Sequence, residues 1–559
     1  MGTFHIKGAA KANYFDAIVV GSGITGGLAA KELCARGLKT LVLERGRNVE
    51  HIKDYPTAMM EPWEFEFRLK STSGDGSTQP DCGHFFASKK EYPYTEVKPF
   101  NWYRGYQVGG RSLTWGRQCL RMSDLDFEAN LKDSVAIDWP VRYAEIAPWY
   151  DYVESYIGVS GSRESNSVIP DGIFLPPMEM NCAEKVFRDQ IRGHFPERTV
   201  TIGRVANLSK VWDGRGPCMF RNRCNRGCPF GGYFSSNAVT LPAAALTGNM
   251  TLLSDTIVSK VIFDSKTKKA SGVEVIHVKT GETVSYFAKI IFLNASAIAT
   301  AAILLNSSTS EFPDGLGNSS NQLGHNLMDH FTGTGAEAEL DGYLDKYYSG
   351  RRPCGIYVPR FRNIGQNERN GFIRGYGLQG NGRRTSFEEN SNMLAGFGID
   401  YKNKVIKPGP WKLWLGAWGE TLPYYSNTVT LDSVKTDKWG IPLTRISMEY
   451  HQNERSMQAD IQVTIAEMLD QSGFKNINGY SGFQTPGSSV HEMGTARMGK
   501  DPRTSVLNKY NQMHDVRNIF ITDGSFMTSS GTANPSLTYM AFTVRAVDYA
   551  VQQMKKGNL

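Results

Sequence analysis

The sequence predicts an α/β-plus-β architecture, in which a Rossmann-like nucleotide-binding domain is interleaved with a sheet-based second domain. Three observations carry this. The N-terminal stretch 15–44 reads strand, glycine loop, helix, strand. Residues 249–296 alternate apolar and polar in period 2 between turn signals, the pattern of a meander of three or four strands. The stretch 519–551 returns to an apolar strand followed by a helix, and no internal repeat separates these parts, so the domains interleave.

The N-terminal element is the most specific. In "FDAIVVGSGITGGLAAKELCARGLKTLVLERG", Phe15 to Val20 is a short apolar strand and Gly27 to Arg36 has helical spacing. Leu38 to Leu43 is a second strand that ends at Glu44. Between them, Gly21 permits the tight turn, Gly23 lets the backbone approach a pyrophosphate, and Gly26 lets helix and strand pack closely. The free N–H groups at the helix start then face the phosphates. Glu44 is placed to accept from ribose hydroxyls, which argues against a 2′-phosphate and leaves FAD or NAD.

The remaining elements follow in order. Residues 51–100 are rich in Pro, Gly, Ser and aromatics and read as a long surface excursion, a lid or a partner contact. In "YRGYQVGGRSLTWG" the pair Gly109–Gly110 permits close backbone approach to a ligand. Residues 138–161 read as a capped helix with Tyr and Trp on its inner face. "IIFLNASAIATAAILL" (290–305) falls short of the ~18 apolar residues of a membrane span and reads as a buried strand followed by a helix. Residues 330–450 mix strands, loops and aromatics, including Trp411, Trp414, Trp418, Tyr424 and Tyr425, which suit either a core or the stacking of sugar rings. The boundaries read as 14–330 with 480–559 for the nucleotide domain, carrying the excursion 51–100 and a cysteine loop 215–232, and 331–479 for the substrate domain.

Composition excludes some functions. The 62 basic and 55 acidic residues leave a net +7, spread without a long basic run, so nucleic acid is not an expected partner. Residues 1–15 lack the apolar core of a secretory signal, so the chain is expected to remain cytoplasmic, to reach the periplasm with an exported partner, or to have been trimmed. Eight cysteines in 559 residues make no disulfide scaffold. Three of them, Cys218, Cys224 and Cys228, stand together as Cys-x5-Cys-x3-Cys-Pro. A disulfide would leave an odd thiol, and a structural zinc wants four ligands. An iron–sulfur cluster, another metal, a disulfide and simple packing remain open on the residues alone.

At the C-terminus, "HEMGTARMG" (491–499) places His491, the side chain best suited to take a proton near neutral pH, in a glycine-containing loop. Asp523–Gly524 follow an apolar strand, and Asn534–Pro535 open the last helix after a run of small residues.

Five motifs in order, "GSGITGG", "GGRSLTWG", "LGHNLMDH" (323–330), "HEMGTARMG" and "TANPSLT" (532–538), resemble the glucose–methanol–choline (GMC) flavin oxidoreductases over Phe15 to about Val551. The resemblance implies the GMC fold, FAD as cofactor and oxidation of an alcohol by hydride transfer to flavin N5. Motif to motif, it implies His491 as the base and Asn534 as donor to the developing alkoxide, with Asp523 and Gly524 beside the ribityl and phosphate groups. Pyranose 2-oxidase-type sugar oxidases carry a flavin-bonded histidine where this chain has Thr114, so the resemblance implies non-covalent FAD.

Bacterial sugar dehydrogenases of this family, the FAD subunits resembling glucose, fructose and gluconate dehydrogenases and the glucoside 3-dehydrogenases, are nearest in style. Several carry the same cysteine spacing around a [3Fe–4S] cluster, which would pass electrons singly to a cytochrome, and a small companion subunit often carries the export signal. The favoured expectation is a glucoside 3-dehydrogenase giving a 3-keto sugar, with electrons going to an acceptor other than O2. The alternatives are a non-sugar alcohol oxidase or dehydrogenase of the same family, and an FAD electron-transfer subunit without its own substrate.

Overall fold

A computed structural model describes residues 13–65, 79–346, 353–365, 371–384 and 395–559. Its organising element is a seven-stranded sheet. Tyr14–Val20 lies at its centre, parallel to Thr40–Leu43 on one side and to Thr283–Leu293 on the other. Ala17 to Val20 are all buried, which explains why this strand reads as a continuous apolar run rather than an alternating one. Met250–Leu253 extends the sheet beyond Thr40–Leu43.

The 11-residue strand Thr283–Leu293 changes partners along its length. Its first half pairs antiparallel with Lys269–His277, which pairs in turn with Thr256–Asp264. Its second half pairs parallel with Ile519–Ile521. The period-2 stretch of the sequence is therefore a three-stranded antiparallel meander joined through Thr283–Leu293 to the parallel sheet, preceded by Met250–Leu253 at that sheet's far edge. The apolar run that follows is, as its sequence suggests, the end of this strand and then the helix Ala297–Leu305.

Helix Ile24–Ala35 packs against the last helix, Ser536–Lys555, and against Thr240–Leu246. The 138–161 helix spans Tyr143–Ile157, with Ile146, Tyr150, Val153 and Ile157 buried against the last helix. Its inner face also buries Glu154, whose carboxylate is gripped by Arg121.

A second, six-stranded antiparallel sheet runs in the order Lys475–Tyr480, Gly335–Leu340, Trp411–Gly419, Tyr376–Arg384, Ile356–Val358, Thr201–Ile202. Helices Cys182–His194 and Gln452–Gln471 pack on one face. Along Trp411–Gly419 the strand alternates in its first half: Trp411, Leu413 and Leu415 are buried, while Trp414 and, farther on, Gly416 to Trp418 line a cavity. Residues 182–202 lie with this sheet, so the division of the chain at 331 and 479 is a proposal about folding units that this segment crosses. A three-stranded sheet of Thr428–Thr436, Pro442–Ser447 and Thr95–Glu96 lies at one side. Among the described residues, no helix is long and apolar enough to cross a membrane.

Candidate active site

One cavity of about 850 Å³ runs from the glycine loop of the first sheet to the inner face of the second. Gly21, Gly23, Glu44, Asp523 and Gly524 line it at the nucleotide end; Gly110, Thr114, His491, Asn534 and Pro535 line it farther along.

The glycine loop has the shape its sequence predicts. Gly21 has φ 95°, and a Cβ there would collide with the Asn294 carbonyl. At Gly26 a Cβ would collide with the Gly21 carbonyl, so this residue sets the helix-to-strand distance rather than touching the cavity. Gly109 does the same for a neighbouring loop: at φ 89° its Cβ would overlap the Asn237 amide. Its N–H donates to Ser22 Oγ at 2.9 Å. Glu44 closes the loop. Its Oε2 accepts from Ser22 Oγ (2.6 Å) and Ser22 N–H (3.1 Å), and its Oε1 from Gly46 N–H (2.9 Å). Burial pushes its carboxyl above the usual range, and these donors work against that shift.

The residues fit a dinucleotide. A Cβ on Gly23 would meet no protein atom and would stand in the cavity. Asn294 Nδ2 lines the same wall and is a buried donor with no partner among the described residues. The first turn of Ser536–Lys555 opens on the cavity at Pro535 and Ser536, where helix N–H groups are unsatisfied. Asp523 is buried, accepting from Thr300 Oγ1 (2.5 Å) and Ser525 N–H (3.0 Å), and burial raises its pKa.

The reactive end is built from segments far apart in sequence. His491 Nε2 lies 3.2 Å from Asn534 Nδ2. Asn534 Oδ1 accepts from Gln379 Nε2 at 2.8 Å, which fixes the amide orientation. On its other side, His491 Nδ1 lies 2.9 Å from His330 Nδ1, and His330 Nε2 lies 2.9 Å from the Gly531 carbonyl. The loop that presents His491 is strained: Val490, a β-branched residue, sits at φ 59°. Asp329 holds it there, accepting from His491 N–H and Gly487 N–H, each at 2.9 Å, and from Ser489 Oγ. Burial, then the Glu492 charge, push Asp329 up to about 7. Burial first, then the fields of His330 and Arg111, hold His491 well below the ordinary histidine value of 6.5. Arg111 is itself paired with Glu492 at 2.7 Å.

Sequence reading missed His330, Gln379, Asp329 and Asn294. Asp329 and His330 close "LGHNLMDH", so a signal was present there. Gln379 lies in the glycine-rich strand "YGLQGNGRR" and carries no local signal.

Cys218, Cys224 and Cys228 lie elsewhere, half-buried around a separate small cavity with Asn207 and Tyr233. None of the eight cysteines is in a disulfide. Burial pushes Cys218 up to about 11, and it accepts from Phe220 N–H at 3.4 Å. The neighbouring arginines tie this loop to the excursion: Arg221 donates to the Ala58 carbonyl, Arg223 pairs with Glu61, and Arg226 donates to the Met60 carbonyl. Among the described residues, no three His, Cys, Asp or Glu side chains stand close enough to hold a metal ion.

Comparison with known proteins places this arrangement. The chain is 28% identical over 96% of its length, and 95% of the relative's, to a 2-methyl-1,2-propanediol dehydrogenase of Mycolicibacterium austroafricanum. It is 25% identical to the fructose dehydrogenase large subunit of Gluconobacter japonicus, over 97% of this chain and 98% of that one. The crystal structure of pyridoxine 4-oxidase from Mesorbium loti superimposes with a TM-score of 0.61 at 17% identity, over 96% of this chain and 99% of that one. The family model described as GMC oxidoreductase matches in two parts, 15–332 and 423–543. With most of its length and its fold accounted for in this way, the chain belongs to the GMC oxidoreductase family and is an FAD-dependent oxidoreductase acting on CH–OH groups.

Proposed function

We propose that this enzyme oxidises a hydroxyl of a sugar or glycoside, with ring carbon 3 of a glucoside as the favoured position and a 3-keto sugar as product. The observation that carries the reading is the pair His491 Nε2 and Asn534 Nδ2, an acceptor and a donor side by side on the cavity wall. A substrate oxygen bridging them loses its proton to His491 and keeps a donor from Asn534 as negative charge develops. FAD, bound non-covalently along Gly21, Gly23, Glu44, Gly110, Thr114 and Asp523, supplies the hydride acceptor. His491 is neutral before the reaction, so the proton has somewhere to go. Support for a carbohydrate comes from the facing wall, lined by Trp414, Trp418 and Gln379 of the second sheet and by Gln484.

The test is anaerobic bleaching of the flavin by a panel of glucosides, free sugars and small diols, with a dye acceptor run beside O2. Fast bleaching by glucosides, with dye reduction outpacing O2 consumption, is expected. A second reading, a small-diol dehydrogenase, is favoured by the relative named for 2-methyl-1,2-propanediol, and bleaching by diols alone would establish it. Acid precipitation is expected to release the yellow chromophore into the supernatant, because Thr114 offers no histidine nitrogen for a flavin bond. A yellow pellet contradicts this.

A companion subunit, a cytochrome acceptor and a [3Fe–4S] cluster on Cys218, Cys224 and Cys228 form the outer part of this proposal. The cluster rests on the spacing and on the shared small cavity. Iron analysis and EPR of anaerobically prepared protein test it, and an iron-free protein of full activity removes it.

A further inference from the structure

The two rings His330 and His491 meet nearly at right angles, 89° between planes, with their Nδ1 atoms 2.9 Å apart. One of these nitrogens must carry the hydrogen and the other the lone pair. The surroundings decide which.

His330 Nε2 faces the Gly531 carbonyl oxygen at 2.9 Å, and a carbonyl can only accept. Nε2 of His330 therefore carries a proton. His330 is 1% exposed and, among the described residues, no carboxylate is hydrogen-bonded to it. Burial holds it at about 4, so it is neutral, and its Nδ1 is a bare acceptor. His491 must then donate from its own Nδ1, which leaves Nε2 with the lone pair.

The opposite side of His491 agrees with this. Gln379 Nε2 occupies Asn534 Oδ1, so it is the amide nitrogen of Asn534 that faces His491 Nε2, and a donor there requires a lone pair. The charged groups nearby do not reverse this. Asp329 engages the backbone N–H of His491, not its ring; Arg111 adds positive field and is held by Glu492.

We infer that His330 is a positioning residue that fixes the tautomer of His491, keeping the proton on Nδ1 and the lone pair on Nε2, where a substrate hydroxyl is met. The inference rests on the reading of His491 as the base. It extends that reading to a residue that touches neither substrate nor cofactor. Histidine in water prefers the other tautomer, with the proton on Nε2. Without the acceptor on His330, His491 would present an N–H to the substrate and would have to rearrange before each turnover.

The test uses the FAD-loaded enzyme with ¹⁵N-labelled histidine. Long-range ¹H–¹⁵N correlation at neutral pH, with the His491 signals identified by their loss in His491→Asn, reads the tautomer directly. A protonated Nδ1 and a bare Nε2 are expected; a proton on Nε2 overturns the inference whatever the activity. Two variants then separate acceptor from donor. In His330→Asn the amide oxygen replaces the Nδ1 acceptor. In His330→Gln the amide reaches Gly531 and the acceptor is lost. Flavin reduction is expected to fall about 10- to 100-fold in His330→Gln, the range for outer-shell partners of a reactive group, with substrate affinity unchanged. His330→Asn is expected to retain most of the rate. Equal losses in both, or none in either, overturn the inference. If His491→Ala reduced flavin normally, the base reading would fail while the tautomer result still stood.

Discussion

A histidine enclosed beside a second histidine and an arginine stays neutral at pH values where an exposed one is half charged. The sign of the pH dependence follows. A base with a lowered pKa is competent above that value and loses activity only as the pH falls through it. The limb that His491 gives the rate constant of flavin reduction is expected below 6.5, apart from any step near 7 from Asp329, which holds its loop. A limb at or above 6.5 in stopped-flow traces that survives in Asp329→Asn contradicts the environment described. His491→Ala is expected to slow flavin reduction by about 10²- to 10⁴-fold, the usual share of a general base. FAD absorbance should survive, because His491 lies beyond the nucleotide end. Asn534→Ala is expected to cost about 10²- to 10³-fold, as for loss of one oxyanion donor. His491 and Asn534 were singled out by the resemblance of the motifs that hold them, and the fold brings the two side chains within 3.2 Å. That His330 meets His491 across 161 positions was not legible, since only the fold turns the two rings toward each other.

The glycine loop and its flanking strands were almost wholly legible, for a physical reason. Each glycine answers a local requirement: a positive φ at Gly21, a helix against a strand at Gly26, an open wall at Gly23. Gly23→Leu separates ligand from fold, because a Cβ there meets no protein atom and stands in the cavity. The variant is expected to keep its melting temperature as apoprotein and to purify colourless, measured by thermal scan and flavin absorbance. A yellow variant would show that the cofactor lies elsewhere. Gly26→Ala, by contrast, is expected to lower stability as well, since its Cβ collides with backbone. The second sheet was less legible. Its alternation in the first half of Trp411–Gly419 is clear, but its order joins Thr201–Ile202 to Lys475–Tyr480 through strands that share no local signal. Strand order is set by which buried faces meet, and that information is non-local.

At the scale of the whole molecule, the cavity belongs to neither sheet alone. The first supplies the nucleotide end and the second faces the reactive pair with Gln379, Trp414 and Trp418. This explains why the sequence gives the reaction class more readily than the substrate. The proposed proton acceptor and the cofactor cradle lie in motifs, whereas the shape opposite them is the sum of an antiparallel sheet's side chains. Trp414→Ala is expected to weaken binding of glycosides by about tenfold, as loss of a stacking contact of ~1.4 kcal/mol does, while leaving the maximal rate of flavin reduction near that of the parent.

The strand Thr283–Leu293, paired on one edge with the N-terminal strand and on the other with Ile519–Ile521, has a consequence for biogenesis. A growing chain exposes its glycine loop early, yet Asp523, Asn534 and the helix Ser536–Lys555 follow far behind it. Cofactor loading is thus expected to wait for them, and a nascent chain must shelter an unfinished apolar sheet until Ile519–Ile521 arrives. A chain ending at residue 515 is expected to hold no flavin and to precipitate unless a chaperone retains it. A soluble yellow fragment of that length would show that the last strand and helix are dispensable for loading.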